Sequence, residues 1–240
     1  MEKKNKQDTL ISADQNRQMF DLIANRYDFM NKVMSLLLDR YWRMRAAKIL
    51  NPQKTDSILD IGSGTGDMVL EILKQKPGVK VTGIDPAEQM LLIAKKKVAR
   101  FNTQNPPCIE AGNAICLRYE TNKFDGVISA FCIRNVVDRI KAFAEMHRVL
   151  KPGGKAVVLE LTRPNQIFMP AYKLYTKIFV KILGKLFSSN TAYSYLIDSI
   201  NDFPDTKIML AKMQTGGFEK ATTVSLTGGI VHIFIGEKTG

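Results

Sequence analysis

The chain has 240 residues, 45% of them hydrophobic and 24% charged, with a formal net charge of +12. These values exclude a disordered chain and leave room for a single domain with a full core, while the positive balance points to an anionic partner: lipid headgroups, nucleic acid or an acidic ligand. Three cysteines, Cys108, Cys116 and Cys132, are too few and too irregular for a disulfide framework or a metal cluster, so no metal is expected and a reducing cytoplasm fits.

Residues 1–16 are polar and charged and read as a mobile tail ahead of one domain over 17–240. They form neither a signal peptide nor a span, and no apolar run elsewhere reaches spanning length, so membrane contact is expected to be peripheral. From Gln18 to Leu50 the apolar spacing is helical, through Phe20, Ile23, Phe29, Val33, Trp42 and Ala46. This stretch, 17–50, has two readings. It is an amphipathic cover packed on a sheet, or a helical lid that carries Arg26, Tyr27, Asp28 and Asn31 over a substrate.

Ser57 to Ile61 is an apolar strand that runs into Gly62-Ser63-Gly64-Thr65-Gly66, and Met68 to Lys76 follows as a helix. Strand, tight glycine turn and helix make a cofactor loop, because glycine admits positive φ and lets a ligand lie against the backbone. The spacing is G-x-G-x-G rather than the G-x-G-x-x-G of dinucleotide sites. Asp60, just before the first glycine, would repel a pyrophosphate but suits a ligand with an ammonium and a sulfonium. Val79 to Asp85 is a second strand ending in an acid, the place where a parallel α/β sheet binds ribose hydroxyls. Asp60, Gly62, Gly64 and Asp85 in this register point to S-adenosylmethionine, and the pair of strands resembles the nucleotide-binding half of class I methyltransferases.

Ala87 to Phe101 reads as a helix, and Asn105-Pro106-Pro107 as a loop breaker before a short strand, Cys108 to Ala111. Asn113 after that strand either bonds an adenine amino group or is a turn residue. Phe124 to Ala130 is the fourth strand; its edge, continuing to Val136, faces the reacting methyl group by the strand-end rule. No Asn-Pro-Pro-Tyr stands there, which counts against amine methylation of nucleobases, and no nucleic acid is expected. Val137 to Leu150 reads as a helix stopped by Lys151-Pro152-Gly153-Gly154, before a fifth strand from Lys155 to Leu161.

A helical insertion over 163–200 follows, with no acid between Leu161 and Ile197. Lys173, Lys177, Lys181 and Lys185 recur every fourth residue opposite Ile178, Phe179, Ile182 and Leu183. This basic amphipathic pattern either lies on an anionic membrane surface or buries its apolar face on the domain. Tyr193 to Ile200 and Asp205 to Thr215 read as further helices, and Lys220 to Leu226 with Ile230 to Ile235 as a strand pair around Gly228-Gly229.

With these blocks in place, the chain resembles the ubiquinone/menaquinone biosynthesis C-methyltransferase family over about residues 17–238. The resemblance is carried by Tyr27-Asp28-Phe29-Met30-Asn31 with Ser35 and Trp42, by Ile133 to Val136, by Arg148 to Gly154 through Glu160, and by Tyr195-Leu196, Ser199-Ile200, Phe203-Pro204 and Gly217-Phe218. It implies an α/β, Rossmann-like class I fold: a seven-stranded, mostly parallel sheet with a reversed last strand and helices on both faces. It also implies methyl transfer from S-adenosylmethionine to a ring carbon of a polyprenylated quinol, by a cytoplasmic protein held peripherally at the inner leaflet. The cofactor contacts it implies are Thr65, Asp85, Asn113, Ala114 and Ala130, where many members carry serine. Other departures are Asp39 for a usual histidine, Thr162 for a serine, and Phe234 for a histidine, with His232 two positions earlier.

A quinol carbon becomes nucleophilic as its neighbouring hydroxyl loses a proton, so a cationic stabiliser helps. Arg134 is the expected stabiliser, Asn135 the residue orienting the ring oxygen, and Tyr27 and Asp28 contributors from the lid. Neither His147 nor His232 is expected to be a base. An RNA methyltransferase, a methylase of a soluble phenol and a non-catalytic cofactor-binding partner of a quinone-synthesis complex are the alternatives, and a homodimer stays open.

Overall fold

The structure, a computed structural model, describes residues 12–164, 166, 168–170, 195 and 198–240. The first helix, α1 (Ala13–Met34), begins with a capping box: Gln15 N–H donates to Ser12 Oγ while the Gln15 side chain accepts from Ser12 N–H. Residues 13–16, expected in the tail, are therefore helical. Leu36 and Leu37, with φ of 51° and 66°, turn the chain into α2 (Leu38–Leu50).

Seven strands then form one sheet in the order β3-β2-β1-β4-β5-β7-β6. They are β1 (Ser57–Ile61), β2 (Lys80–Asp85), β3 (Cys108–Ala111), β4 (Phe124–Ala130), β5 (Leu150–Leu161), β6 (Lys220–Leu226) and β7 (Val231–Glu237). The first five pair in parallel, and β7 runs antiparallel to both β5 and β6. Seven strands with a reversed last one is the arrangement the resemblance implies. β5 starts at Leu150, five residues before its expected Lys155. Lys151 to Gly154 sit inside a register irregularity, between the Phe124–Leu150 and Gly126–Lys155 pairs.

Two cores follow from strand alternation. Ile58, Ile128 and Val157 face α2, α3 (Asp67–Gln75) and α4 (Glu88–Val98), joining Trp42, Val69, Ile72 and Ala94. Their neighbours Leu59, Val127 and Val158 face α5 (Arg139–Val149) and α6 (Thr206–Thr215), joining Phe143, Met146, Met213 and Phe234. Phe234 is thus a core residue. His232 is buried too, with Nδ1 2.7 Å from Thr162 Oγ1; that hydroxyl donates to the Gly229 carbonyl, so its oxygen accepts from the imidazole. Burial pushes the imidazole below its ordinary range. His147 packs edge-on against Phe218 at 5.3 Å.

Strand order reverses between β1 and β4, which opens a crevice at the C-terminal ends of the parallel strands. The lysine stripe Lys173, Lys177, Lys181 and Lys185 lies outside the described residues. No described helix is long and apolar enough to cross a membrane.

Candidate active site

The glycine loop closes the end of β1. Gly62 and Ser63 donate to the Ile84 carbonyl at 2.8 and 2.9 Å, which ties the loop to β2. Gly62 has φ +73°, and a Cβ there would run into the side chain of Cys132, so only glycine fits. Gly64 has φ +53°, and a Cβ there would meet nothing within 4 Å. Its backbone faces open space at the cavity wall.

Asp85 is fixed from both sides: Oδ2 accepts from Gly64 N–H at 3.0 Å and Oδ1 from Ala87 N–H at 2.9 Å. Burial raises its carboxyl to about 6, against the pull of these two N–H groups. Asp60 is fully buried behind Ile61, and neither of its carboxylate oxygens has a hydrogen-bond partner. Burial raises it to about 7, opposed by the charge of Arg43. An orphaned carboxylate beneath a glycine loop is an unmet demand for positive charge.

The cavity brings together Gly62, Gly64, Asp85, Asn113, Ala114 and Ala130, with Asn135 at the β4 edge and Tyr27 above. Asn113 also caps a turn, its Oδ1 accepting from Ile115 N–H at 3.1 Å. Tyr27 is raised by burial, with the Arg134 charge opposing. Its ring meets Phe20 edge-on at 5.9 Å. Asp60 lies behind the wall rather than in it.

Two expected contacts point elsewhere. Thr65 is absent from the cavity wall; its hydroxyl donates to Asp28 Oδ1 and accepts from Lys97 Nζ at 3.2 Å. Lys97 Nζ also stands 2.6 Å from both Asp28 and Asp67, so α1, the loop and α4 share one polar latch. Burial works to raise Asp67, but the charges of Arg43 and Lys97 outweigh it and hold the carboxyl below its ordinary range. Arg134, expected against the substrate ring, is likewise absent from the wall and spent on its own surroundings. Its Nη1 lies 3.2 Å from Glu160 Oε2 and 3.0 Å from the Phe131 carbonyl, and its Nε donates to Ser199 Oγ at 3.3 Å. The Arg134 backbone N–H donates to Glu160 Oε1 at 3.0 Å. Arg139 braces the same turn through the carbonyls of Ile133 and Arg134, at 3.1 and 2.7 Å. The guanidinium therefore clamps the turn that presents Asn135.

Asn135 Oδ1 accepts from the Tyr195 hydroxyl at 3.1 Å. Asn16 Nδ2 bridges the Asn135 carbonyl at 3.2 Å and Tyr195 Oη at 3.1 Å, and leaves its own buried Oδ1 unpartnered at the cavity. Asn16, Arg17 and Phe20 line the roof; Asn16 falls outside the lid expected over 17–50, and Arg17 and Phe20 fall inside it but are not among the residues it is expected to carry over a substrate. The Ser12-x-x-Gln15 capping signature was the available signal. Glu160, Ser199 and Lys97 were missed as clamps, and nothing local marks them.

The family model for the ubiE/COQ5 methyltransferase family matches residues 8–238. The chain belongs to that family. It is 40% identical over 230 residues to the ubiquinone/menaquinone biosynthesis C-methyltransferase UbiE of Geotalea uraniireducens, covering 92% of this chain and 95% of that one. It is 36% identical over 228 residues to the demethylmenaquinone methyltransferase of Bacteroides fragilis, covering 94% and 93%. Among solved structures, a SAM-dependent methyltransferase from Thermotoga maritima superposes with a TM-score of 0.65 at 20% identity, over 92% of this chain and 99% of that one; at that identity the likeness shows the fold alone. For a ubiE/COQ5 methyltransferase the donor is S-adenosylmethionine, and the cavity fits it. The open backbone at Gly64, the carboxylate of Asp85 and the orphaned Asp60 supply a close approach, a hydroxyl acceptor and an unpartnered acid that a cationic ligand would ionise.

Proposed function

We propose that this chain methylates a ring carbon of a polyprenylated quinol, demethylmenaquinol or the equivalent ubiquinone precursor, with S-adenosylmethionine as donor. Family membership indicates SAM-dependent C-methylation in ubiquinone and menaquinone biosynthesis. The observation that carries the reading is the cavity's two-sided chemistry. A glycine loop with the burial-raised carboxyl of Asp85, backed by the buried Asp60, forms one side, and Asn135, Tyr27 and apolar side chains form the other.

When bound, the donor supplies a methyl group on a positively charged sulfur. Asp85 would accept from its ribose hydroxyls, Asn113 and Ala114 would hold its base, Ala130 and the loop glycines would let it approach the backbone, and Asp60 would answer its positive charge. Asn135 and Tyr27 are the groups that hold the substrate ring oxygen, and the buried Asn16 Oδ1 offers a further acceptor beside them. Arg134 acts as a positioning residue: it holds the turn from Phe131 to Asn135 so that the ring carbon and the methyl group are aligned. The roof of α1 keeps the site dry.

Because such a substrate carries an isoprenoid tail, the protein works against a bilayer. The stripe Lys173, Lys177, Lys181 and Lys185 is a proposed contact with the anionic inner leaflet, worth about 1 kcal/mol per lysine. Complementation of a strain lacking quinone C-methylation, followed by mass analysis of its quinones, tests the reading. The expected result is recovery of the methylated quinone. Accumulation of the demethylated quinone with intact SAM binding removes the quinol assignment.

A further inference from the structure

Six large apolar side chains stand in solvent on α1 and at its corner with α2. Leu22 is 86% exposed, Phe29 61%, Leu36 63% and Leu37 66%, and Leu38 and Tyr41 are exposed as well. Leu22 and Phe29 lie seven residues apart, so they share one face of α1 that leads to the corner.

The corner is also strained. Leu36 and Leu37 both have positive φ, a conformation that glycine adopts freely and leucine rarely does. A glycine would turn this corner more cheaply and expose nothing apolar. Among the described residues, the two leucines here satisfy neither the backbone nor the core, so their side chains answer to something beyond these residues.

Charge names the partner. At the corner itself, residues 29–43, the chain carries three cations, Lys32, Arg40 and Arg43, the last of them buried, and one acid, Asp39. Asp39 is buried, bonded by Ser35 Oγ at 3.0 Å and approached by Arg43 at 3.9 Å. Lys32 and Arg40, which bracket the leucines, are exposed. An apolar tip rimmed by cations matches acyl chains beneath phosphate headgroups. A second copy docked here about a two-fold axis would set the same cations against themselves.

We infer that the α1–α2 corner is a wedge that inserts Leu36, Leu37 and Leu38 into an anionic phospholipid bilayer, with Lys32 and Arg40 at the phosphate level. Of the two helices that form it, α1 walls the cavity and α2 backs that wall. α1 supplies Asn16, Phe20 and Tyr27, and Trp42 of α2 meets the cavity residue Phe131 edge-on at 6.2 Å. Docking at this corner holds α1, and with it one wall of the cavity, at the bilayer where a prenylated substrate resides. The purpose rests on the quinol reading, but the binding does not.

Co-sedimentation of the full chain with phosphatidylcholine vesicles, with and without phosphatidylglycerol, tests it. The unaltered chain is expected to bind the anionic vesicles, and the double variant Leu36→Ser, Leu37→Ser to bind them roughly tenfold more weakly with an unchanged melting temperature. Leu37→Gly separates wedge from fold: it relieves strain, so vesicle binding falls while the melting temperature holds or rises. Lys32→Glu with Arg40→Glu removes the preference for phosphatidylglycerol. Absence of vesicle binding by the unaltered chain, or equal binding by the leucine variants, overturns the wedge. So does a shift from dimer to monomer in those variants with vesicle binding intact, which gives the face to a second copy. Intact vesicle binding without methylation of any quinol counts against the quinol reading and leaves the wedge standing.

Discussion

Asp60 and Arg134 are buried charges solved in opposite ways. Asp60 has no partner and is raised to about 7; Arg134 is paired with Glu160, which burial raises and Arg134 opposes. A carboxyl raised from its ordinary 3.8 to about 7 holds its proton in the folded chain where the unfolded chain has lost it. Its favourable contribution is present below about 4 and is lost as pH rises through about 7, so the ligand-free protein should be more stable near pH 6 than near pH 8. A cationic donor favours the ionised form, so its binding should release a proton between those values. Asp60→Asn is expected to flatten the pH dependence of stability and to weaken SAM binding by about tenfold, or ~1.4 kcal/mol. Melting scans and calorimetry in buffers of different ionisation enthalpy measure both. Arg134→Ala leaves Glu160 buried without its partner, and about 3–5 kcal/mol of stability should be lost in urea denaturation. Adding Glu160→Gln should recover part of that loss. A stable Arg134→Ala protein that still cannot turn over would instead return the guanidinium to the reaction.

At the scale of elements, the helix over the site is held by a latch rather than by a hydrophobic seam alone. Asp28 of α1, Thr65 of the glycine loop and Asp67 at the start of α3 converge on one ammonium, that of Lys97 in α4. All are partly buried, so the contacts keep more of their strength than surface pairs do. Lys97→Met keeps the aliphatic stem but removes the charge. It is expected to cost about 1.5–3 kcal/mol and to raise KM for the donor several-fold with a smaller change in kcat. Proteolysis within α1 should quicken in the same variant. An unchanged KM would show that α1 stays seated without the latch.

For the whole molecule, the sheet order gathers the cavity residues at the C-terminal ends of the parallel strands, around the switch point between β1 and β4. Binding there bridges β1, β2 and β4, so the donor should stabilise the fold as a unit. At a donor concentration one hundred times Kd the gain is about 2.7 kcal/mol, read as a rise in melting temperature, and the demethylated product should act likewise. No shift with either compound would mean that this cavity does not take the donor.

The sequence by itself determined the strands, the glycine loop and its two acids, because alternating burial, positive φ and a charged strand end are each imposed within a few residues. β3, β4 and β6 begin and end where the pattern put them, and Gly62, Gly64 and Asp85 reached the cavity from spacing alone. The tertiary structure alone decided what the remaining side chains touch. Thr65 sits in the right loop but bonds Asp28, 37 residues away, and Arg134 meets Glu160 across 26 residues. Asn16 reaches Asn135 across 119 residues. A local pattern fixes where a side chain starts, whereas its partner is whatever the folded sheet and its helices bring within a few ångströms of its polar end.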